Sequence, residues 1–494
     1  MKFISGESRE QIILLPDSVD DYVDENNTVR VIDAYINSLD LASLGFARSQ
    51  PNETGRPMYD RKDLLKLYVY GYINRIRSSR RLETETKRNL EVIWLLRKLS
   101  PDHKTIARFR HDNSEALKNV FRDFVKLCMK LELYGKELIA VDGSKFKAVN
   151  SKDRNFTKNK LADRLARIET KIQEYLDKLN EHDAQDNAAD TEHTAEEITA
   201  IIAGLAQRKT EYEGYREDME QAEETQKSLT DPDSRLMKSH GSTDVCYNVQ
   251  MAADSKNKLI VDFDVTNRAQ DKNQLGAMAK KAKELLEVEE LVAVADAGYD
   301  SASDIVDCIE NNITPHVAHI AGGDIQVCIE TDNPEISPIN SHTNGRCIYI
   351  ARRNLAVCPM GQVLYPGYYK TRAGVAMFYN GKACAKCLCK CTTEKYKRFE
   401  LTMKKSEFCK QYNDENIRVK QITVSSDKNI LKQRKCIAEH PFGTVKRTMD
   451  AGYMLTKGKQ AVSGELALTF LAYNFKRAIN ILGTKRIINT INIC

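Results

Sequence analysis

Apolar runs long enough to cross a bilayer are missing from this 494-residue chain: none approaches the roughly 18 residues a helical span needs. The opening MKFISGESREQ is too charged for the apolar stretch of a secretion signal, so a cytoplasmic location without membrane contact is expected. Disulfides are rare in that compartment, and the thirteen cysteines are expected to be thiols or metal ligands. The composition of a disordered chain is missing too: 29% charged and 41% hydrophobic residues are ordinary for a folded protein. The length exceeds one core, so about two to four folded units are expected.

What is present is a charge asymmetry hidden behind a net +5. Residues 341–494 carry 28 Lys+Arg against 9 Asp+Glu, or +19, and residues 51–140 come to +8, whereas residues 241–340 come to −11. Basic blocks around an acidic middle suit a polyanion partner, with cations held in the middle. Solvated helix faces are the competing reading of the same charges.

Residues 61–77 form a helix buried on a broad face, and residues 90–96 form a second that Ser100-Pro101 breaks. A third starts at Thr105 with basic residues outside. Short helices with exposed arginines resemble helix-turn-helix geometry, and Arg75, Arg80, Arg81, Lys104 and Arg108 are the candidate phosphate contacts. Residues 1–135 are expected to be a DNA-binding domain that works by itself. LIAVDGSKFKAV at 138–149 is a strand. Leu161, Leu165, Ile168, Ile172, Tyr175 and Leu179 then recur in steps of four and three, and Thr194-Ala195-Glu196-Glu197 caps a returning helix, so residues 158–229 read as an antiparallel helical insertion. Downstream come two strands joined at Asp254-Ser255-Lys256-Asn257, a helix at 271–287, a strand ending at Asp296, a helix at about 301–311 and a strand from Thr314. The fold class is α/β, its sheet starting with a three-strand meander. Residues 136–157, 230–320 and 416–494 form this core, residues 321–415 a Cys-rich insertion, and GELALTFLAYNFKRAINIL a final amphipathic helix.

Asp142 lies on the first strand and Asp296 ends the fourth. If those strands pair, the two carboxylates meet, and close carboxylates are stable together mainly when divalent cations bridge them. Oxygen ligands without nearby histidine favour Mg²⁺ or Mn²⁺, and a pair of such ions suits phosphodiester chemistry. Glu439 in RKCIAEHPFGTVKR is the third candidate, because Lys446 and Arg447 follow two turns later to hold phosphates. The plain alternative is that Asp142-Gly143 and Asp296-Ala297-Gly298 only make a turn and a cap.

The blocks GRPMYDRKDLLKLYVYGYINRIRSSRRLE…PDHKTIARFR, AVDGSKFKA, DPDSRLMK…YNVQ, ADAGYDS, EHPFGTVKR and LAYNFKRAIN run through nearly the whole chain. In this order they resemble DDE transposases of bacterial insertion sequences, in the broad IS4/IS5 assemblage and most like the IS1182 family. The resemblance implies an RNase H-like catalytic core with Asp142, Asp296 and Glu439 as the triad, and a Mg²⁺-dependent enzyme. Such an enzyme binds the terminal inverted repeats of its element, cleaves strands and transfers them, as a homodimer on duplex DNA in the nucleoid. DNA contacts are expected from Tyr299, Lys435, Lys446 and Arg447 as well. The related IS4 pattern places Tyr and Arg where this chain has Lys432 and Lys435, and Arg434 can take the arginine's part after a small helix rotation. The alternative function is an inactive, transposase-derived DNA-binding protein, which has no reason to keep the triad. A coiled-coil scaffold accounts for the helical insertion only.

Cys358 followed by Cys384, Cys387, Cys389 and Cys391 resembles a zinc ribbon. Cys358, Cys384, Cys387 and Cys391 are the preferred ligands, with Cys389 as a substitute for one, and reduced thiols without metal are the alternative. The segment has little periodic apolar pattern, so a structural zinc is expected to supply the constraint that a core does not.

Overall fold

The computed structural model describes residues 18–47, 58–150, 152–184, 195–222, 224–239, 241–318, 325–330, 347–350, 353–358, 360–387, 391–412, 419–424 and 426–493. Thr194 and Cys389 lie outside them.

A six-stranded sheet organises the chain: β1 (Leu138–Lys147), β2 (Arg235–Ser239), β3 (Ser242–Asp254), β4 (Ile260–Thr266), β5 (Leu291–Ala295) and β6 (Ile313–Val317). β3 pairs antiparallel with β4 and β2 on one side and with β1 on the other; β1 then pairs parallel with β5, and β5 with β6. The β3–β4 turn forms where Asp254 accepts from the Lys256 amide (2.9 Å) and Lys258 takes φ of 57°. Parallel strands need crossovers, and helices Leu275–Leu286 and Ala302–Glu310 supply them before β5 and β6.

Residues 245–254 of β3 are buried without alternation, as expected of a strand covered on both faces. Helix Lys459–Leu482, followed by a last helix Thr484–Ile493, is buried at every position from Gly464 to Phe475. It is therefore not the amphipathic surface helix its ends suggest: it runs between helices Arg61–Ile73 and Ser114–Lys130 and the edge of β4. Asn474 closes that edge, its Oδ1 accepting from the Ile260 amide and its Nδ2 donating to the Ile260 carbonyl, both at 2.9 Å. Phe475 stacks on Phe124 at 4.1 Å and meets Tyr35 edge-on at 5.4 Å. One apolar core thus runs from Val23 through the sheet to Ile491. The N-terminal helices share it.

Two peripheral units leave the sheet. Helices Lys158–Ala184 and Ala195–Gln221 pack together, with Leu161, Leu165, Ile168, Ile198 and Met219 buried, above a ladder pairing Asn155–Thr157 with Gln226–Ser228. Farther along, strands Ile348–Ile350, Leu355–Val357, Val363–Lys370, Val375–Tyr379 and Arg398–Thr402 form an antiparallel sheet. It has a core of its own: Ala356, Leu364, Ala376 and Phe378 are buried, and Tyr349, Phe399 and Phe408 pack against Phe378. Period-two strands with aromatic inner faces make that core.

Candidate functional site

The register brings the two aspartates together. Ala140 of β1 stands opposite Val294 of β5, and two residues further along each strand lie Asp142 and Asp296. Asp142 accepts from the Gly143 amide at 2.9 Å, and Asp296 caps the turn Ala297–Tyr299 by accepting from the Gly298 amide at 2.8 Å. Burial pushes the Asp142 carboxyl up to about 6. Arg434 opposes that shift, while the neighbouring Asp296 and Asp271 reinforce it.

Glu439 arrives from the helical segment after Lys428–Arg434, which widens into π turns at Lys435–Glu439 and again at Thr444–Thr448. A π turn is bonded between residues five apart instead of four. Residues 434 and 439 therefore share a face, and Arg434 turns inward while Lys435 is exposed. The Arg434 guanidinium stands 3.5 Å from Asp142 Oδ2 and 3.9 Å from Glu439 Oε1, linking the first and third carboxylates. Glu439 itself is 60% exposed. With a guanidinium between the carboxylates, no three His, Cys, Asp or Glu side chains among the described residues close on a common metal position.

Below the carboxylates lies a polar network with no expectation attached to it. Gln250 and Asn248 are fully buried in β3, and both donate to Asp271 Oδ1, at 2.8 Å and 2.7 Å. Lys145 reaches the same oxygen at 3.3 Å. Tyr299 donates to Gln250 and is fully buried, so it does not face DNA; the short turn after Asp296 folds its ring inward. Burial, then Asp271, hold its phenol well above the usual range. A glutamine in the middle of VQMAAD was the readable sign of this network, because a buried amide needs partners.

Lys446 also differs from expectation. Its ammonium donates to Ser144 Oγ and to the Lys145 carbonyl (2.7 Å) and lies over the Phe146 ring, so it fastens the π-turn segment to β1. Burial lowers it to about 8. Arg447 and Lys435 are exposed beside Glu439. In the N-terminal helices Arg75, Arg80, Arg81, Lys104 and Arg108 are all exposed, with Arg108 3.3 Å from Asp112. His103 joins helices Ser79–Arg88 and His103–Asp112 through Glu83 at 2.7 Å, placing Arg80, Arg81, Lys104 and Arg108 on adjoining helices.

The expected four-thiolate set is not assembled among the described residues. Cys358 and Cys391 share the small core with Cys347, whereas Cys384 accepts from the Lys397 amide. Apolar packing takes the place that zinc was expected to fill.

No helix among the described residues is long and apolar enough to cross a membrane. No curated protein matches the chain. Among solved structures, a cryo-EM structure of the piggyBac transposase synaptic complex with hairpin DNA aligns over 94% of this chain and 79% of that one, at 7% identity and a TM-score of 0.28. Residues 17–112 match the family described as transposase domain (DUF772). Residues 221–475 match the family described as transposase DDE domain, a stretch that holds Asp296 and Glu439 and to which β1 adds Asp142 by strand pairing. That second match covers over half of the chain, and the protein belongs to the DDE transposases, the enzymes of insertion sequences.

Proposed function

We propose that this transposase binds duplex DNA at the terminal inverted repeats of its element and uses Asp142, Asp296 and Glu439 for cation-dependent strand cleavage, followed by transfer of the freed 3′-OH ends. The parallel register of β1 and β5, which sets Asp142 beside Asp296, carries this reading. A three-strand meander followed by two parallel strands, with a carboxylate on the first strand and another after the parallel neighbour, supports an RNase H-like core.

The residues fit a hard divalent cation. The donors are carboxylate oxygens without histidine, and burial beside Asp296 and Asp271 disfavours a bare charge on Asp142, which a cation relieves. When bound, a pair of Mg²⁺ or Mn²⁺ ions supplies activation of water and neutralisation of the leaving oxygen. The chain's own part is orientation and charge. The Gly143 and Gly298 amides fix the two aspartates, and Lys446 holds the Glu439 segment against β1. Arg434 balances the charges of Asp142 and Glu439. Exposed Arg80, Arg81, Lys104 and Arg108 on the paired helices, with Arg75, Lys435 and Arg447, supply phosphate contacts whose strength falls as salt rises.

The test is incubation of purified protein with DNA carrying the element's ends, with and without Mg²⁺. Asp142→Asn, Asp296→Asn and Glu439→Gln are each expected to abolish cleavage and to leave gel-shift binding largely intact. Full cleavage by any one of them would remove that residue from the centre.

A further inference from the structure

Residues 347–412 carry 13 Lys+Arg against 3 Asp+Glu, or +10, and they hold the five-stranded antiparallel sheet. One face of that sheet is its core, where Phe378 stands opposite Phe399 and Ala376 opposite Leu401. The residues between them point the other way. On that outer face one cross-strand row runs Tyr365, Tyr379, Arg398; the next runs Tyr368, Met377, Glu400; the third runs Lys370, Val375, Thr402.

Two more rings extend the face. Tyr396, two residues before Arg398, lies 5.3 Å from the Tyr379 ring, with the Arg398 guanidinium over it at 5.8 Å. Tyr412 lies 5.6 Å from the Tyr365 ring. Gly367, at the bulge between Pro366 and Tyr368, lets this layer form, because a Cβ there would collide with the Tyr379 ring. Tyr368 and Tyr412 are 47% and 48% exposed. Exposed rings set in a cluster, unlike single apolar side chains on a surface, mark a place of contact.

The charges around the rings say with what. Glu400 holds Lys370 at 3.2 Å and Glu394 holds Arg398 at 2.6 Å. Exposed Arg372, Lys382 and Lys395 have no ion-pair partner among the described residues. Arg372 follows Lys370 at one end of the rows, and Lys382 and Lys395 flank Tyr379 and Tyr396 at the other. A second copy of this face would bring like charges together, whereas a polyanion is attracted. A duplex keeps its base faces inside its own stack, but an unpaired strand offers phosphates to the cations and base faces to the rings.

We propose that the tyrosine face of this sheet binds an unpaired stretch of DNA. Bases stack on Tyr368, Tyr412 and the Tyr379–Tyr396 pair, and phosphates meet Arg372, Lys382 and Lys395. Strand cleavage produces ends whose strands can separate, and this face holds one of them. The inference rests on the reading of the chain as a DNA-cutting enzyme, but not on the choice of triad.

The experiment is fluorescence anisotropy of a labelled oligothymidine of about 12 nucleotides with the full chain, in chelator so that nothing is cut. The protein is expected to bind it. Tyr368→Ala and Tyr412→Ala should each weaken binding about fivefold or more, the worth of one stacked base, with an unchanged melting temperature. Binding of a duplex of the same length should change less than about twofold, and Tyr368→Phe, which keeps the ring, should bind the strand as the unaltered protein does. A loss below about twofold for both alanine variants would overturn the proposal. So would an equal loss for strand and duplex, which makes the face a phosphate surface only. A changed sedimentation mass with strand binding intact would make it an interface between copies and overturn it as well. Should the alanine variants fail to fold, the unaltered protein decides. A strand carrying 5-iododeoxyuridine is expected to crosslink under ultraviolet light to the peptides holding Tyr368 or Tyr412, and crosslinks elsewhere alone would refute the assignment. Unaltered protein that cuts the element's ends but does not bind oligothymidine would reject this inference and leave the proposed function standing; protein that does neither would reject both.

Discussion

Glu465 is fully buried in helix Lys459–Leu482, and replacing it tests how the N-terminal helices are tied to the rest of the core. Its carboxylate accepts from the Leu455 amide at 3.0 Å, the Thr456 amide at 3.0 Å and Thr456 Oγ1 at 2.8 Å, and stands 3.4 Å from Arg77 Nη1. Arg77, also buried, donates to the Tyr453 carbonyl at 2.8 Å and lies over the Tyr453 ring. Glu465→Leu would strip the partner from a buried cation, which costs about 3–5 kcal/mol. It would also orphan two amides, at about 1–3 kcal/mol each before relaxation. Arg77→Met leaves Glu465 with its Leu455 and Thr456 donors, so its cost is expected to be smaller. The single tryptophan, Trp94, lies in the N-terminal helix Leu90–Leu95 and reports on that end of the core. Urea unfolding followed by Trp94 fluorescence should show a loss of at least about 4 kcal/mol for Glu465→Leu, within a total of about 5–15 kcal/mol. A loss below about 1 kcal/mol, or a larger loss for Arg77→Met, would refute the claim that this pair holds the two ends together.

Further outcomes follow from the same packing. Burial raises Asp142 to about 6 in the folded chain, above its unfolded value, so the group costs stability once pH passes from the unfolded toward the folded value. Asp142→Asn should therefore raise the melting temperature of chelator-treated protein at pH 7.5 and lose that gain near pH 4; an equal gain at both would contradict the burial cause. Iodoacetamide at pH 8 should label exposed Cys409 and Cys436 before buried Cys358, which is pushed up to about 12 and stays unmodified until unfolding, as read by peptide mass spectrometry. A fragment ending at residue 135 lacks the helix that supplies Phe475 against Phe124, and its circular dichroism should show no cooperative melt. A sharp transition would mean that the N-terminal helices pack without helix Lys459–Leu482.

Much of the sheet could be read from the chain because its signals are local. Asp254 turns β3 into β4 by bonding the Lys256 amide, and Asp142 and Asp296 interrupt apolar strands where a desolvated charge needs a reason. What stayed hidden depends on tertiary placement. Asp271 sits in the polar stretch NRAQD, indistinguishable from a solvated loop until β3 presents Asn248 and Gln250 to it. Arg434 faces the site, as the small helix rotation allowed, and the reason is a π turn that no period of 3.6 anticipates. Tyr299, named by the resemblance among the DNA contacts, instead fills the core with its ring. In the Cys-rich segment, cysteine spacing drew attention to metal while Tyr349, Phe378 and Phe399 were forming a core.

The late position of the Lys459–Leu482 helix also sets a clock. During synthesis the β4 edge and the Phe124 face emerge long before Asn474 and Phe475 exist to cover them. At about 5–20 residues per second, those surfaces wait on the order of tens of seconds on the ribosome. Over that interval the nascent chain has its first catalytic strand but no finished core, and Glu439 with its basic neighbours has yet to be made. The core closes only with the last stretch of translation, so a truncated product keeps the β4 edge and the Phe124 face uncovered.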